Sequence, residues 1–294
     1  MPRAACNGIE IEYDEFGHEG ASPLLLIMGL GAQMIAWDDA FCALLADRGF
    51  RVVRFDNRDV GLSTKIEGPL PDVLACIGGD VSSANYTLDD MANDAAGLLD
   101  VLGIGRAHVI GVSMGGMIAQ TVAIRHPDRV LSLCSIMSTT GDRSVGQPTP
   151  EAMQELLRPV ARSRDEYLDM SVKAGRVIGS PGYPTDEARL RERAGLAYDR
   201  CYHPMGVARQ LAAVMASGDR TAALAGVRVP TAVIHGDSDP LVTPSGGQAT
   251  ARAVPGAELV TVEGMGHDLP PEVWPRLVDA IASNASKATE GAAR

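Results

Sequence analysis

The 294-residue sequence predicts an α/β fold: a mostly parallel sheet, helices on both faces and a helical insertion. Three observations point there. Near-continuous apolar runs alternate with longer segments of helical periodicity, as strands buried on both faces alternate with their crossover helices. The alternation lapses between about Thr139 and Leu224 and resumes at Val229. A serine flanked by glycines, in "VIGVSMGGMIAQ", sits where one apolar run gives way to a helix-like one.

In chain order, "PLLLIMG" from Pro23 and "FRVVRFD" from Phe50 read as strands, with helix-like "AWDDAFCALLADRG" between them. "TLDDMANDAAGLLDVLG" opens on Thr87, an N-cap residue with Asp90 three positions on, and continues with apolar residues at helical spacing. "RAHVIGV", "RVLSLCSIM", "PTAVIHG" and "AELVTVEG" supply four further strands. From Thr139 to Leu224, proline, arginine and glycine punctuate helix-like pieces such as "EAMQELLRPVARSRDEYLDMSVKAG". So long an excursion between two strands of one sheet reads as a cap. The shorter Gly/Pro-rich stretch from Lys65 to Ala84 borders the same mouth in this reading. The expected division is core over 1–138, cap over 139–224, core again over 225–285 and a frayed polar tail over 286–294.

Composition narrows the function classes. A net charge of −11 with no basic stripe argues against a nucleic-acid partner. The cysteines Cys6, Cys42, Cys76, Cys134 and Cys201 are scattered, odd in number and without C-x-x-C spacing, which predicts reduced thiols and neither a disulfide framework nor a metal site. The N-terminal segment has no apolar signal region, and no apolar run reaches membrane-spanning length, so a cytoplasmic location is expected.

Gly111-Val112-Ser113-Met114-Gly115 matches G-x-S-x-G. So short a pattern is weak alone, but here it lies between a predicted strand and a predicted helix, the setting in which a tight turn holds a serine out as a nucleophile. A serine hydroxyl needs a base. His267, in "VEGMGHDLP", is the candidate, because it follows a strand and so lies at the sheet's C-terminal edge. His108 and His235 fall inside strands, His126 ends a helix, His18 is in an N-terminal turn and His203 is in the cap. The imidazole in turn needs a carboxylate to hold its tautomer. "IHGDSDPLVTP" offers two: Asp239 for that role, with Asp237 as a turn builder. Attack on a carbonyl also needs two backbone N–H donors for the oxyanion. Met114, after the nucleophile, and Leu30, in the "IMGLG" loop after the first long strand, are the candidates.

The order Ser113, Asp239, His267 resembles that of the α/β-hydrolase superfamily over nearly the whole chain. "MGLGAQMIAWDDAFCALLADRGFRVVRFDNRDVGLSTK" is similar to the branch of small esterases and lipases that includes aclacinomycin methylesterase. The resemblance implies an eight-stranded sheet, a helical cap after strand six and hydrolysis of a small-molecule ester without cofactor or metal. Two positions depart from the wider pattern. Met28-Gly29 stands where H-G is common, and Asp59 replaces the first glycine of D-x-R-G-x-G-x-S over Asp56–Ser63. That second stretch is read as support for the site, with Arg58 and Asp59 as possible substrate contacts. A serine nucleophile sets aside the dehalogenases and epoxide hydrolases, which use aspartate there. It leaves carboxylesterase, thioesterase, lactonase, C–C hydrolase and perhydrolase chemistry, with a slow-turnover ligand sensor as the non-enzymatic alternative. Leu30, Met34, Trp37, Met114 and Met137 fall near strand ends or first loops and predict an apolar pocket; for Met34, Trp37 and Met137 core packing is the alternative.

Overall fold

The computed structural model describes residues 2–292, and among these eight strands form one sheet. They are β1 (Arg3–Cys6), β2 (Ile9–Phe16), β3 (Ser22–Ile27), β4 (Phe50–Phe55), β5 (Ala107–Val112), β6 (Val130–Ile136), β7 (Thr231–Gly236) and β8 (Glu258–Val262). The spatial order is β1-β2-β4-β3-β5-β6-β7-β8. β1 and β2 pair antiparallel, as do β2 and β4; every other pair is parallel.

The helices are α1 (Asp39–Asp47), α2 (Val73–Gly78), α3 (Leu88–Val101), α4 (Met114–Arg125), α5 (Pro150–Leu156), α6 (Arg164–Ile178), α7 (Glu187–Arg200), α8 (Pro204–Ser217), α9 (Thr221–Leu224), α10 (Pro244–Ala253) and α11 (Trp274–Ala292). Strand β3 shows why the sheet is covered twice. Successive side chains leave a strand on opposite faces. Leu25 and Ile27 join a core layer with Leu88, Met91 and Leu98 of α3 and Ile118 and Val122 of α4. Leu24 and Leu26 join the other, with Phe41 and Leu45 of α1 and Leu277, Val278 and Ile281 of α11. Each such fully buried side chain contributes about 1.5–3 kcal/mol of transfer free energy.

The capping box expected on α3 is present. Asp90 accepts the Thr87 N–H at 2.8 Å, and the Thr87 side chain accepts from the third residue of the helix. The chain opens on a hairpin, β1–β2, that the apolar runs do not predict. Asn7 (φ 49°) and Gly8 (φ 76°) turn it with two left-handed residues, the geometry an Asn-Gly pair favours.

The long excursion after β6 carries helices α5–α8 and returns at Gly218–Arg220. There the Arg220 N–H donates to Thr140 O (2.9 Å) and its guanidinium to Thr139 O and Gly218 O, joining the outgoing and returning strands of chain. Helix α9, placed in the cap by the expected span 139–224, instead packs on the core helices α4 and α10, and its Leu224 is fully buried in the core. Apolar spacing too short to show a face hid this. The tail expected to fray over 286–294 is helical through Ala292, continuing α11; 293–294 lie outside the described residues.

The chain leaves β3 for β4 on one side and then crosses to β5 on the other. The C-terminal ends of β3 and β5 are therefore the switch point at which an open α/β sheet opens a crevice.

Candidate active site

β5 ends at Val112 and α4 begins at Met114, so Ser113 alone makes the turn at that crevice. Its backbone takes φ 55° and ψ −123°, a conformation that costs a non-glycine residue about 1–3 kcal/mol. The neighbours hold it there. Ser113 N–H donates to Ile136 O (2.9 Å), while its carbonyl accepts from Gly116 N–H (2.9 Å) and the Ser138 hydroxyl (2.8 Å). The flanking glycines answer to crowding: a Cβ on Gly111 would run into the Gly115 carbonyl, and one on Gly115 into that of Ile27.

His267 arrives from the loop after β8 and Asp239 from the loop after β7. The structure brings all three side chains together, with His267 Nε2 3.0 Å from Ser113 Oγ and His267 Nδ1 2.7 Å from Asp239 Oδ2. A carboxylate only accepts, so Nδ1 carries the proton and Nε2 is left to accept from the serine hydroxyl. Asp239 is almost wholly buried, and its other oxygen accepts the N–H groups of Leu241 and Val242, both at 2.9 Å. Asp237 turns the loop, accepting from Gly264 N–H (2.7 Å) and Ser238 Oγ (2.8 Å). Burial pushes the buried His235 down from the usual imidazole range, and its Nε2 is tied to Val242 O at 2.7 Å. It stands 3.6 Å from Asp239 as packing beneath the carboxylate.

Gly29 lies against Ser113; a Cβ there would sit 3.1 Å from that of the serine. Leu30 follows Gly29, and Met114 opens α4, where backbone N–H groups have no partner within the helix. The Met114 side chain is buried in the core layer of α3 and α4, and the half-buried Leu30 side chain packs against that layer. The 28–34 loop is held at three points. Asn57 Nδ2 donates to Met28 O (2.9 Å), the Met34 N–H donates to Asp56 Oδ1 (2.7 Å) and the Gly31 N–H donates to Gln210 Oε1 (2.8 Å). Gln210, buried on α8, also donates to Arg58 O at 2.8 Å. Sequence reasoning missed it, since nothing in "VARQLAAV" marks one glutamine as reaching across from the cap.

Arg58 and Asp59 face partners in the protein. Arg58 grips Asp94 through two hydrogen bonds of 2.6 and 2.7 Å. Asp59, at φ 71°, accepts from Tyr86 OH (2.7 Å) and Ile66 N–H (2.8 Å), with the Arg209 guanidinium 3.7 Å away. Burial and the adjacent Asp59 push the Tyr86 phenol well above its usual range.

Among the pocket candidates Trp37 is corrected to a core residue. The short turn Met34–Ala36 carries it under α1, where it stacks on Phe41 with ring centroids 5.5 Å apart and no exposed surface. Met34 is also fully buried. Met137 is 3% exposed, takes φ 43° and directly follows Ile136, whose carbonyl receives the Ser113 N–H. No disulfide joins the five cysteines. Among the described residues no group of three or more His, Cys, Asp or Glu side chains is placed to hold a metal ion.

A family described as alpha/beta hydrolase fold matches residues 22–179. A rhodomycin D methylesterase of Streptomyces sp. (strain C5) is 31% identical over 294 residues, covering 93% of this chain and 94% of its own. Among solved structures, the enol-lactonase from Burkholderia xenovorans LB400 superposes with a TM-score of 0.76 at 25% identity, covering 97% of this chain and 100% of its own. A thermophilic esterase from Thermogutta terrifontis gives 0.75 at 26% identity, covering 98% and 99%.

Proposed function

The chain belongs to the alpha/beta hydrolase fold family, and from that premise we propose that it is a carboxylic ester hydrolase working through an acyl-enzyme on Ser113. The hydrogen-bonded line from Asp239 through His267 to Ser113, at 2.7 and 3.0 Å, carries the reading. Ser113 attacks the ester carbonyl as His267 Nε2 takes its proton. Asp239 stabilises the imidazolium, and the N–H groups of Leu30 and Met114 stabilise the oxyanion, each such donor contributing about 3 kcal/mol to lowering the barrier. His267 then protonates the leaving alcohol and later activates the water that releases the acid.

The acyl or alcohol group is small to medium and apolar, with Met137 following the residue that holds the Ser113 turn. The methylesterase relative supports a methyl ester as one substrate. The likeness to an enol-lactonase supports a lactone, an internal ester that passes through the same steps, as the second reading. The net charge of −11 argues against nucleic acid as a partner. Five free thiols, four of them buried, fit the cytoplasmic location expected from the sequence. Among the described residues no helix is long and apolar enough to cross a membrane.

The test is steady-state turnover of p-nitrophenyl esters of rising acyl length by wild type and Ser113→Ala. Continuous turnover, lowered at least about 10⁴-fold in the variant, is the expected result. Release of a single equivalent by wild type would favour a ligand sensor, and equal rates for the two proteins would remove Ser113 from the chemistry.

A further inference from the structure

We propose that Ser180, in the cap, is a positioning residue for His267, so that the cap segment 178–182 is part of the catalytic frame; the inference rests on the ester-hydrolase reading above. Helix α6 ends at Ile178 and leaves its last carbonyls without partners inside the helix. The His267 N–H donates to one of them, Ile178 O, at 2.7 Å. Two residues on, the buried Ser180 hydroxyl accepts from Gly266 N–H (2.8 Å) and donates to Asp268 Oδ1. One hydroxyl thus grips the residue before the base and the residue after it.

The approach is close enough to demand glycine. A Cβ on Gly182 would stand 2.6 Å from the α-carbon of Gly264, and one on Gly266 would strike the Gly179 carbonyl. The Gly182 N–H donates to Gly264 O (2.9 Å), and Tyr183 OH donates to Glu263 O (3.1 Å). The core holds the first part of this loop through Asp237, whose carboxylate accepts the Gly264 N–H, and through Ser238 N–H on Met265 O (3.1 Å). Gly266, His267 and Asp268 are gripped from the cap.

The chemistry gives this grip a purpose. The imidazole must keep Nδ1 on Asp239 and Nε2 on Ser113 at once, and a misplacement of about 1 Å costs up to about 10²-fold in rate. Asp268 is not a free charge in this arrangement. Burial pushes its carboxyl up from the ordinary range, against the Ser180 hydrogen bond and the nearby His267, which pull it down.

Wild type, Ser180→Ala and Asp268→Asn are compared by p-nitrophenyl ester kinetics, thermal melting and ¹H NMR of the downfield His267 Nδ1–H. Ser180→Ala is expected to lower kcat about 10- to 100-fold with KM within about two-fold, and to broaden or abolish the downfield resonance while the fold persists. Asp268→Asn keeps an acceptor for the hydroxyl, and is expected to retain at least about half of kcat together with the resonance. Wild-type kcat and an unchanged resonance in Ser180→Ala would overturn the proposal. So would equal losses in both variants with the resonance intact, which would assign the effect to the Asp268 charge. The resonance is read without turnover. An inactive wild type therefore removes the ester-hydrolase reading, while the spectra still decide whether Ser180 positions the ring.

Discussion

At the scale of single residues, strain and substitution tell how the site is held. Ser113 at φ 55° is kept in place by Ile136, Ser138 and the first turn of α4, so its hydroxyl projects toward His267 without any rearrangement. Asp59 is the instructive departure, since the related motif has glycine where this chain bends through φ 71°. Asp59→Gly relieves about 1 kcal/mol of left-handed strain. It also leaves the buried Tyr86 hydroxyl without its acceptor, at about 1–3 kcal/mol, and takes a carboxylate away from Arg209. The expected outcome is a net loss of about 1–2 kcal/mol in urea unfolding. A gain in stability would mean that the strain outweighs the Tyr86 hydrogen bond.

At the scale of the element, β5 leads into the Ser113 turn and carries a buried histidine. His108 bridges Ser22 Oγ (3.2 Å) and Ser132 Oγ (2.8 Å) across β3, β5 and β6, and burial pushes it down to about 4. The sign follows from linkage. The folded value lies below the unfolded 6.5, so the unfolded chain takes up the proton first. Stability from this group is fully present above about pH 6.5 and is lost as pH falls toward about 4, by about 3 kcal/mol at the acid end. Urea titrations at about pH 7, 5.5 and 4 should show His108→Gln flattening that acid decline by a similar amount. An amide can still bridge the two serines, so stability at neutral pH is expected within about 1 kcal/mol of wild type. An acid limb identical in both proteins would rule out His108 as its source.

At the scale of the whole molecule, the cap and the core are one machine. Gln210 steadies the 28–34 loop, Arg200 reaches the buried Asp56 at 2.7 Å, and the 178–182 segment grips the loop that carries His267. The insertion is closed at its root by Arg220, buried on α9's N-terminal side, which also donates to Gln120 Oε1 at 3.3 Å. Burial lowers Arg220 to about 10, so it remains a cation at neutral pH. Arg220→Met strips the donors from Thr139 O, Gly218 O and Gln120 together. Limited proteolysis followed by mass spectrometry is expected to show cleavage around 139–146 and 218–220 accelerated about ten-fold or more, through a more populated local opening. Unchanged cleavage would show that packing alone closes the root.

What the sequence by itself determined is whatever short-range pattern can carry. The near-continuous apolar runs of β3–β7, the Thr87–Asp90 capping box and the G-x-S-x-G turn are all local. Each is legible because a strand's alternation, a cap or a strained turn restricts residue types within a few positions. The Asn7-Gly8 turn is equally local. The tertiary structure alone decided the rest. Trp37 belongs to the core because of the turn that sends it under α1, and α9 belongs to the core because of what it packs against. Gln210 and Ser180 meet the site across sequence separations of 179 and 86 residues, to Gly31 and Gly266. A single polar side chain on a cap segment leaves no periodic trace. Its partner is chosen by long-range packing, which one sequence read residue by residue does not encode locally.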